Sequence, residues 1–205
     1  HTPQIQAWLR TATDAMITLA GVKPGSQVLD VAAGAGDQTL DIAERVGPTG
    51  TVLATDISPA LVALATQRAK RAGHTNVRCQ VADGEDLQLG EGQFDAAVCR
   101  LGLMLFADPL QGLQQMHHAL KPGGRVCTLV FAGPQRNPCV SIVMETAIRH
   151  AGRPMPEPST PGSLFSLGRP GVVDALMQQA GFVAAATTAI DATFHMPSVD
   201  DYLTF

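Results

Sequence analysis

Val28-Leu29-Asp30-Val31-Ala32-Ala33-Gly34-Ala35-Gly36-Asp37 decides the fold. A short apolar run breaks into closely spaced small residues, the pattern of a sharp turn at the carboxyl end of a parallel strand. There the backbone can approach a ligand without Cβ interference. A second apolar run, Thr51-Val52-Leu53-Ala54-Thr55, ends in Asp56, 20 residues beyond Gly36, a spacing that suits one βαβ unit. A carboxylate in that place can accept hydrogen bonds from vicinal ribose hydroxyls, so the pair points to an adenosine-bearing cofactor.

Two cofactor classes use this layout. A dinucleotide fingerprint wants G-x-G-x-x-G, but Gly34-Ala35-Gly36-Asp37-Gln38-Thr39 ends in threonine. Asp37 also falls where a pyrophosphate would meet the helix N-terminus, and its charge would repel one. S-adenosylmethionine carries no phosphate and avoids that repulsion. A third strand, Val77 to Val81, runs into Ala82-Asp83-Gly84-Glu85, which places another acceptor where an adenine amino group needs one. Phe94 to Cys99 reads as a fourth strand opening into Arg100-Leu101-Gly102-Leu103-Met104. A capped helix from Asp108-Pro109, the turn Leu120-Lys121-Pro122-Gly123-Gly124 and a fifth strand, Arg125 to Phe131, follow.

Over residues 26–132 the chain resembles the class I S-adenosylmethionine-dependent methyltransferases, in their ubiquinone/menaquinone-biosynthesis-like branch. The matching pieces are VLDVAAGAG, ATDIS with Asp56, VADGEDL with Asp83, FDAAVCRLGLM and LKPGG. The resemblance implies a doubly wound, mostly parallel Rossmann-like sheet with a lid insertion after strand five. It also implies S-adenosylmethionine as methyl donor, S-adenosylhomocysteine as product, and methyl transfer to a small, apolar or aromatic acceptor. Ala32 departs from the family's acid-x-Gly-x-Gly-x-Gly pattern, and its methyl group is accommodated if φ is negative there.

Each cofactor residue has an expected role. Asp30 orients the glycine loop through backbone N–H groups or faces the cofactor amino group, with a structural role also open. Gly34 and Gly36 let the methionine half lie on the backbone. Asp56 holds the ribose, because an acid ending an apolar strand is awkward in a core. Ile57 packs on the adenine face. Asp83 and Gly84 meet the adenine edge, while Glu85 caps the following turn. Arg100 offers its carbonyl to the cofactor amino group, and its side chain pairs with a carboxylate or substrate or is solvated.

The 205 residues, 45% hydrophobic and 16% charged, suffice for one domain with one core. It divides into a cofactor-binding core (20–133), a lid or insertion (134–170) and a C-terminal helix, strand and loop (171–205). The net charge of −4 and the lack of a basic stripe argue against nucleic acid and for a small-molecule partner. No apolar run reaches membrane-spanning length. Cys79, Cys99, Cys127 and Cys139 show no metal-like clustering and read as reduced thiols of a cytoplasmic protein.

Helix starts are marked by Ser58-Pro59 and Asp108-Pro109. Half of the 14 prolines fall within 134–170 and flank an amphipathic stretch, Val140 to His150, that emerges at the glycine-loop edge. Gly171 to Ala180 reads as a helix and Phe182 to Ile190 as a sixth strand. Met196 to Asp201 looks like a loop entering a helix capped by Ser198. An antiparallel seventh strand is expected to be missing, and both termini look abrupt.

A sulfonium is already activated, so positioning supplies most of the acceleration of methyl transfer, with no metal required. Where the acceptor must also lose a proton, the candidate bases are His150, His195 and Glu145. Met104, Phe106, Met144, Met155 and Phe165 are candidates to line an acceptor pocket. Two rivals remain: an NAD-dependent oxidoreductase, and a non-catalytic S-adenosylmethionine-binding domain.

Overall fold

A computed structural model describes residues 2–155, 157–195, 198 and 200, without the side chains of 2, 3 and 5. Five strands form one sheet: β1 (Gln27–Val31), β2 (Thr51–Asp56), β3 (Val77–Val81), β4 (Phe94–Arg100) and β5 (Leu120–Leu129). Their spatial order is β3-β2-β1-β4-β5 and every pairing is parallel. The order reverses between β1 and β4, so a crevice opens beyond the carboxyl end of β1.

The central strands are buried on both faces. Val28, Ala96 and Val98 meet Met16 and Ile17 of α1 (Thr2–Leu19) and Ile42 of α2 (Asp37–Val46). On the other face Leu29, Val31, Ala97 and Cys99 meet Leu113 and Met116 of α4 (Pro109–Ala119) and Met177 of α6 (Val172–Gln179). Between α2 and α4 in sequence, α3 (Pro59–Arg71) lies beside α2, with Ala65 against Gly36. The two capped starts form as the residues dictate. The Ser58 hydroxyl accepts from the Leu61 N–H, and the Asp108 carboxylate from the Gln111 N–H.

Two sequence expectations are corrected. The LKPGG segment does not precede the fifth strand but belongs to it as a bulge, since Leu120 pairs with Phe94 while Arg125 pairs with Ala96. The sixth strand is absent: residues 182–190 run as irregular chain. Val183 is 91% exposed and Ala184 sits at φ 56°, which breaks both the burial and the extended backbone that a strand would need at its start. After β5 come a short 3-10 turn (Pro134–Arg136) and α5 (Pro138–His150). Among the described residues no helix is long and apolar enough to cross a membrane. The expected loop and helix at 196–201 fall mostly outside the described residues.

Candidate cofactor site

The glycine loop turns on three left-handed residues: Ala32 at φ 54°, Gly34 at 59° and Gly36 at 83°. Ala32 therefore adopts the conformation that glycine favours, against the expectation of a negative φ, and its methyl is strained there. Space for that methyl comes from β4's exit. A Cβ added at Gly102 would lie 2.5 Å from the Ala32 Cβ. At Gly34 the added Cβ would meet nothing within 4 Å, so the loop presents bare backbone at that point. Gly36 is packed from behind, its missing Cβ lying 3.0 Å from that of Ala65.

Asp56 closes β2 beside this loop at 9% exposure. One carboxylate oxygen accepts the Gly34 N–H at 2.8 Å and the other the Ser58 N–H at 2.9 Å. A carboxylate has about four acceptor positions, so both oxygens keep capacity for hydroxyl donors. The next residue, Ile57, is 68% exposed, unusual for a β-branched hydrophobe at a sheet edge and suited to a ligand's flat face.

Asp83 and Gly84 adjoin this edge, because β3 continues past β2 through an Ala82 N–H bond to the Asp56 carbonyl at 3.1 Å. Asp83 is exposed and one of its oxygens accepts the Glu85 N–H at 2.9 Å. Gly84 has a packing duty. A Cβ there would fall 2.2 Å from the Phe106 ring, which also fills the space left by Gly112. Glu85 accepts from the Ala107 and Asp108 N–H groups at 2.8 and 3.1 Å, so it holds the distant segment that leads into α4 and not, as expected, the turn that follows it.

Asp30 lies beneath the loop and is fully buried. Its partners are side chains of α2, not loop amides: Gln38 Nε2 at 3.0 Å and Thr39 Oγ1 at 2.6 Å. Burial pushes its carboxyl up to about 6 against the opposing pull of those two bonds and of Arg100. Thr39 stands where a dinucleotide fingerprint has its third glycine, and glycine there would leave one Asp30 oxygen without its donor.

Arg100 is not solvated. Its side chain is 9% exposed, donates to the Thr13 hydroxyl at 3.0 Å and faces Asp37 at 3.9 Å. Asp37 is a hub at the start of α2. It pairs with Arg68 of α3 at 2.6 Å and accepts from Gln6 of α1 at 2.9 Å. Arg68 also donates to the Ala35 carbonyl at 2.9 Å. The sequence reading missed Gln6, Thr13, Gln38, Thr39 and Arg68. Only Thr39 carried a signal, by replacing a glycine; the others meet their partners across separate elements.

The candidate bases are not brought together. Glu145 is half-buried within α5 and His150 exposed at its end, while His195 is exposed in a cleft of about 300 Å³ with Gln4, Ala7 and Thr193. The expected acceptor pocket also divides. Met104 is 1% exposed in the core, Phe106 fills the Gly84 notch, and Met155 is 53% exposed. Phe165 instead joins an aromatic group that the sequence did not flag. Trp8 of α1 stacks on Phe131 with centroids 5.9 Å apart and meets Phe194 edge-on at 4.9 Å, and Phe131 meets Phe165 at 6.3 Å. That group sits just past the carboxyl end of β5. Residues 162–168 rest on the same side, with Ser166 donating to the Met104 carbonyl at 2.7 Å.

Burial disfavours the thiolate form of all four cysteines. Burial pushes Cys99 up to about 12 and Cys127 up to about 11, and it raises Cys79 and Cys139 as well.

Comparison with known proteins agrees with this geometry. The chain is 38% identical over 131 residues to the ubiquinone/menaquinone biosynthesis C-methyltransferase UbiE of Ectopseudomonas mendocina, covering 63% of this chain and 51% of that protein. It is 33% identical over 112 residues to the demethylmenaquinone methyltransferase of Corynebacterium kroppenstedtii, covering 55% and 44%. The chain thus spans about half the length of the relatives it matches. Among solved structures, a SAM-dependent methyltransferase from Aquifex aeolicus superposes with TM-score 0.51 at 25% identity, covering 54% of this chain and 58% of that one. The YcgJ protein of Bacillus subtilis shares the fold at TM-score 0.63 and 22% identity, covering 83% and 68%. The model of the ubiE/COQ5 methyltransferase family matches residues 5–148, the stretch from α1 through the glycine loop, Asp56 and β5 to α5. On that match the chain belongs to the ubiE/COQ5 methyltransferase family.

Proposed function

We propose that the chain transfers a methyl group from S-adenosylmethionine to a small, planar, apolar acceptor of the quinol type. One observation carries the reading: the glycine loop, the Asp56 carboxylate and the bare Ile57 side chain share one edge of the sheet. Together they supply backbone for an amino-acid moiety, acceptors for a ribose and an apolar platform for adenine. The acceptor class rests on the named relatives and on the apolar, aromatic walls past β5.

S-adenosylmethionine, when bound, supplies an electrophilic methyl group on sulfur. The protein's part is to hold donor and acceptor in line and keep water away. Asp56 would fix the ribose, Gly34 and Gly36 the methionine half, Ile57 the adenine face, and Asp83 with the Gly84 backbone the adenine edge. Ala32 and the Arg100 backbone flank the loop's other side. Asp30 acts from beneath, through Gln38 and Thr39, on the first turn of α2 that the loop leads into. If the acceptor carbon must lose a proton, Glu145, His150 and His195 are the groups to test. Transfer from an already activated sulfonium needs no metal. Four cysteines outside any disulfide fit a reducing cytoplasmic compartment, and the net charge of −4 fits a partner other than nucleic acid.

The test is transfer of isotopically labelled methyl from S-adenosylmethionine to a panel of hydroxylated aromatics, demethylated quinols and small amines, with and without chelator. Carbon-methylated quinol as product, insensitive to chelator, supports the reading. Labelling only of amines, or none with any acceptor, contradicts it.

A further inference from the structure

The outer face of α5 combines features that the methyl-transfer site does not use. Ile142, Val143, Thr146, Arg149 and His150 are all exposed, and at helical spacing they form one stripe. Ile142 is 61% exposed and Val143 44%, and Met155 just beyond the helix is 53% exposed. On the opposite side Ser141 is buried while Met144 and Ile148 are half-buried, so the stripe is the more exposed face of the helix. Asn137 fixes its start through bonds to the Ala132 and Gly133 carbonyls at 2.9 and 3.2 Å.

Charge separates this face from the rest of the molecule. Residues 134–170 carry Arg136, Arg149, Arg153 and Arg169 against Glu145 and Glu157, a net positive segment in a chain of net charge −4. Neither Arg149 nor Arg153 has an ion-pair partner among the described residues. Bare apolar side chains next to unpaired arginines match an anionic lipid surface, where apolar groups sink to the acyl boundary and guanidinium groups meet phosphates.

We propose that α5 and the turn after it dock the protein on an anionic membrane surface. The inference rests on the proposed apolar acceptor. A water-poor acceptor resides in lipid, and α5 lies on the chain segment that leaves the carboxyl end of β5 and carries Phe131 of the aromatic group.

Vesicle binding tests this without any acceptor or turnover, so its failure is separable from failure of the methyl-transfer reading. The whole chain is titrated with phosphatidylcholine vesicles containing about one-third phosphatidylglycerol, and with pure phosphatidylcholine. Binding to the anionic vesicles should be at least about tenfold tighter and should fall as salt rises. Ile142→Glu/Val143→Glu and, separately, Arg149→Gln/Arg153→Gln should each weaken it about tenfold, with S-adenosylhomocysteine affinity and melting temperature unchanged. Equal or absent binding to the two vesicle types overturns the proposal, as do variants that bind like the parent. Self-association in sedimentation that Ile142→Glu/Val143→Glu abolishes would instead assign the stripe to a second copy of the chain, and also overturns it.

Discussion

Ala32 shows how much one methyl group can reveal. At φ 54° it holds a conformation that costs an L-residue about 1–2 kcal/mol, and its Cβ occupies the space that Gly102 leaves. Ala32→Gly should therefore stabilise the chain by about 0.5–1 kcal/mol after the extra freedom of the unfolded glycine is counted. Gly102→Ala should cost more than about 2 kcal/mol alone and markedly less beside Ala32→Gly. Denaturant unfolding of the four proteins checks both; additive effects would contradict the contact. The sequence showed the departure from glycine but not its φ, because the residue that makes room lies three strands further along the chain. Asp30 gives a second test at this scale. Its carboxyl is raised from 3.8 to about 6, so the folded state binds more protons than the unfolded state between those values. Stability contributed by this group is therefore greatest below about 4 and declines as pH rises through about 6, by up to about 3 kcal/mol. Relative to Asp30→Asn, the parent should lose stability across that window and run parallel to it above pH 7. A pH-independent difference would show that burial does not burden this carboxylate.

Elements built from local rules were legible, while those depending on distant partners were not. The caps at Ser58 and Asp108, the valine-bearing strands and α5 follow from residues within a few positions of one another. The alanine-rich run after Phe182 looked like a strand only by position in the expected topology. Its branched Val183 points to solvent at 91% exposure, Ala184 breaks the extended backbone, and Phe182 turns to meet His117 edge-on at 4.9 Å instead. The β5 bulge was likewise hidden, since a turn motif and a five-for-two pairing read alike in sequence. The first half of α1 is anchored chiefly by Trp8. Trp8 donates to the Ala192 carbonyl at 3.1 Å while stacking on Phe131. Trp8→Ala should cost about 2–3 kcal/mol and speed amide exchange in the first half of α1 and near 192. Unaltered exchange there would mean that α1 is held by its Met16 and Ile17 end alone. Residues 134–170 should gain exchange protection when cofactor and acceptor are both present, as a cover over the site would. Equal protection with and without them would leave the segment as a surface insertion.

At the scale of the molecule, the parallel sheet places every adenosine-binding candidate on one rim. The reversal of strand order between β1 and β4 makes the crevice, and the ends of β1, β2 and β3 deliver the loop, Asp56 and Asp83 to it. These residues were legible because each lies just past a strand, where chain order and spatial order coincide. The proposed acceptor side was less so: Phe165 was offered by the sequence, but Trp8, Phe131 and Phe194 gather around it from α1 and from chain well past β5. Titration calorimetry with S-adenosylhomocysteine and with NAD, on the parent chain and on Asp56→Ala, tests the central claim most directly. The account predicts binding of S-adenosylhomocysteine and not of NAD, weakened by roughly tenfold or more in the variant as charge-assisted bonds to the ribose are lost. Tighter binding of NAD, or S-adenosylhomocysteine affinity unchanged by Asp56→Ala, would contradict it.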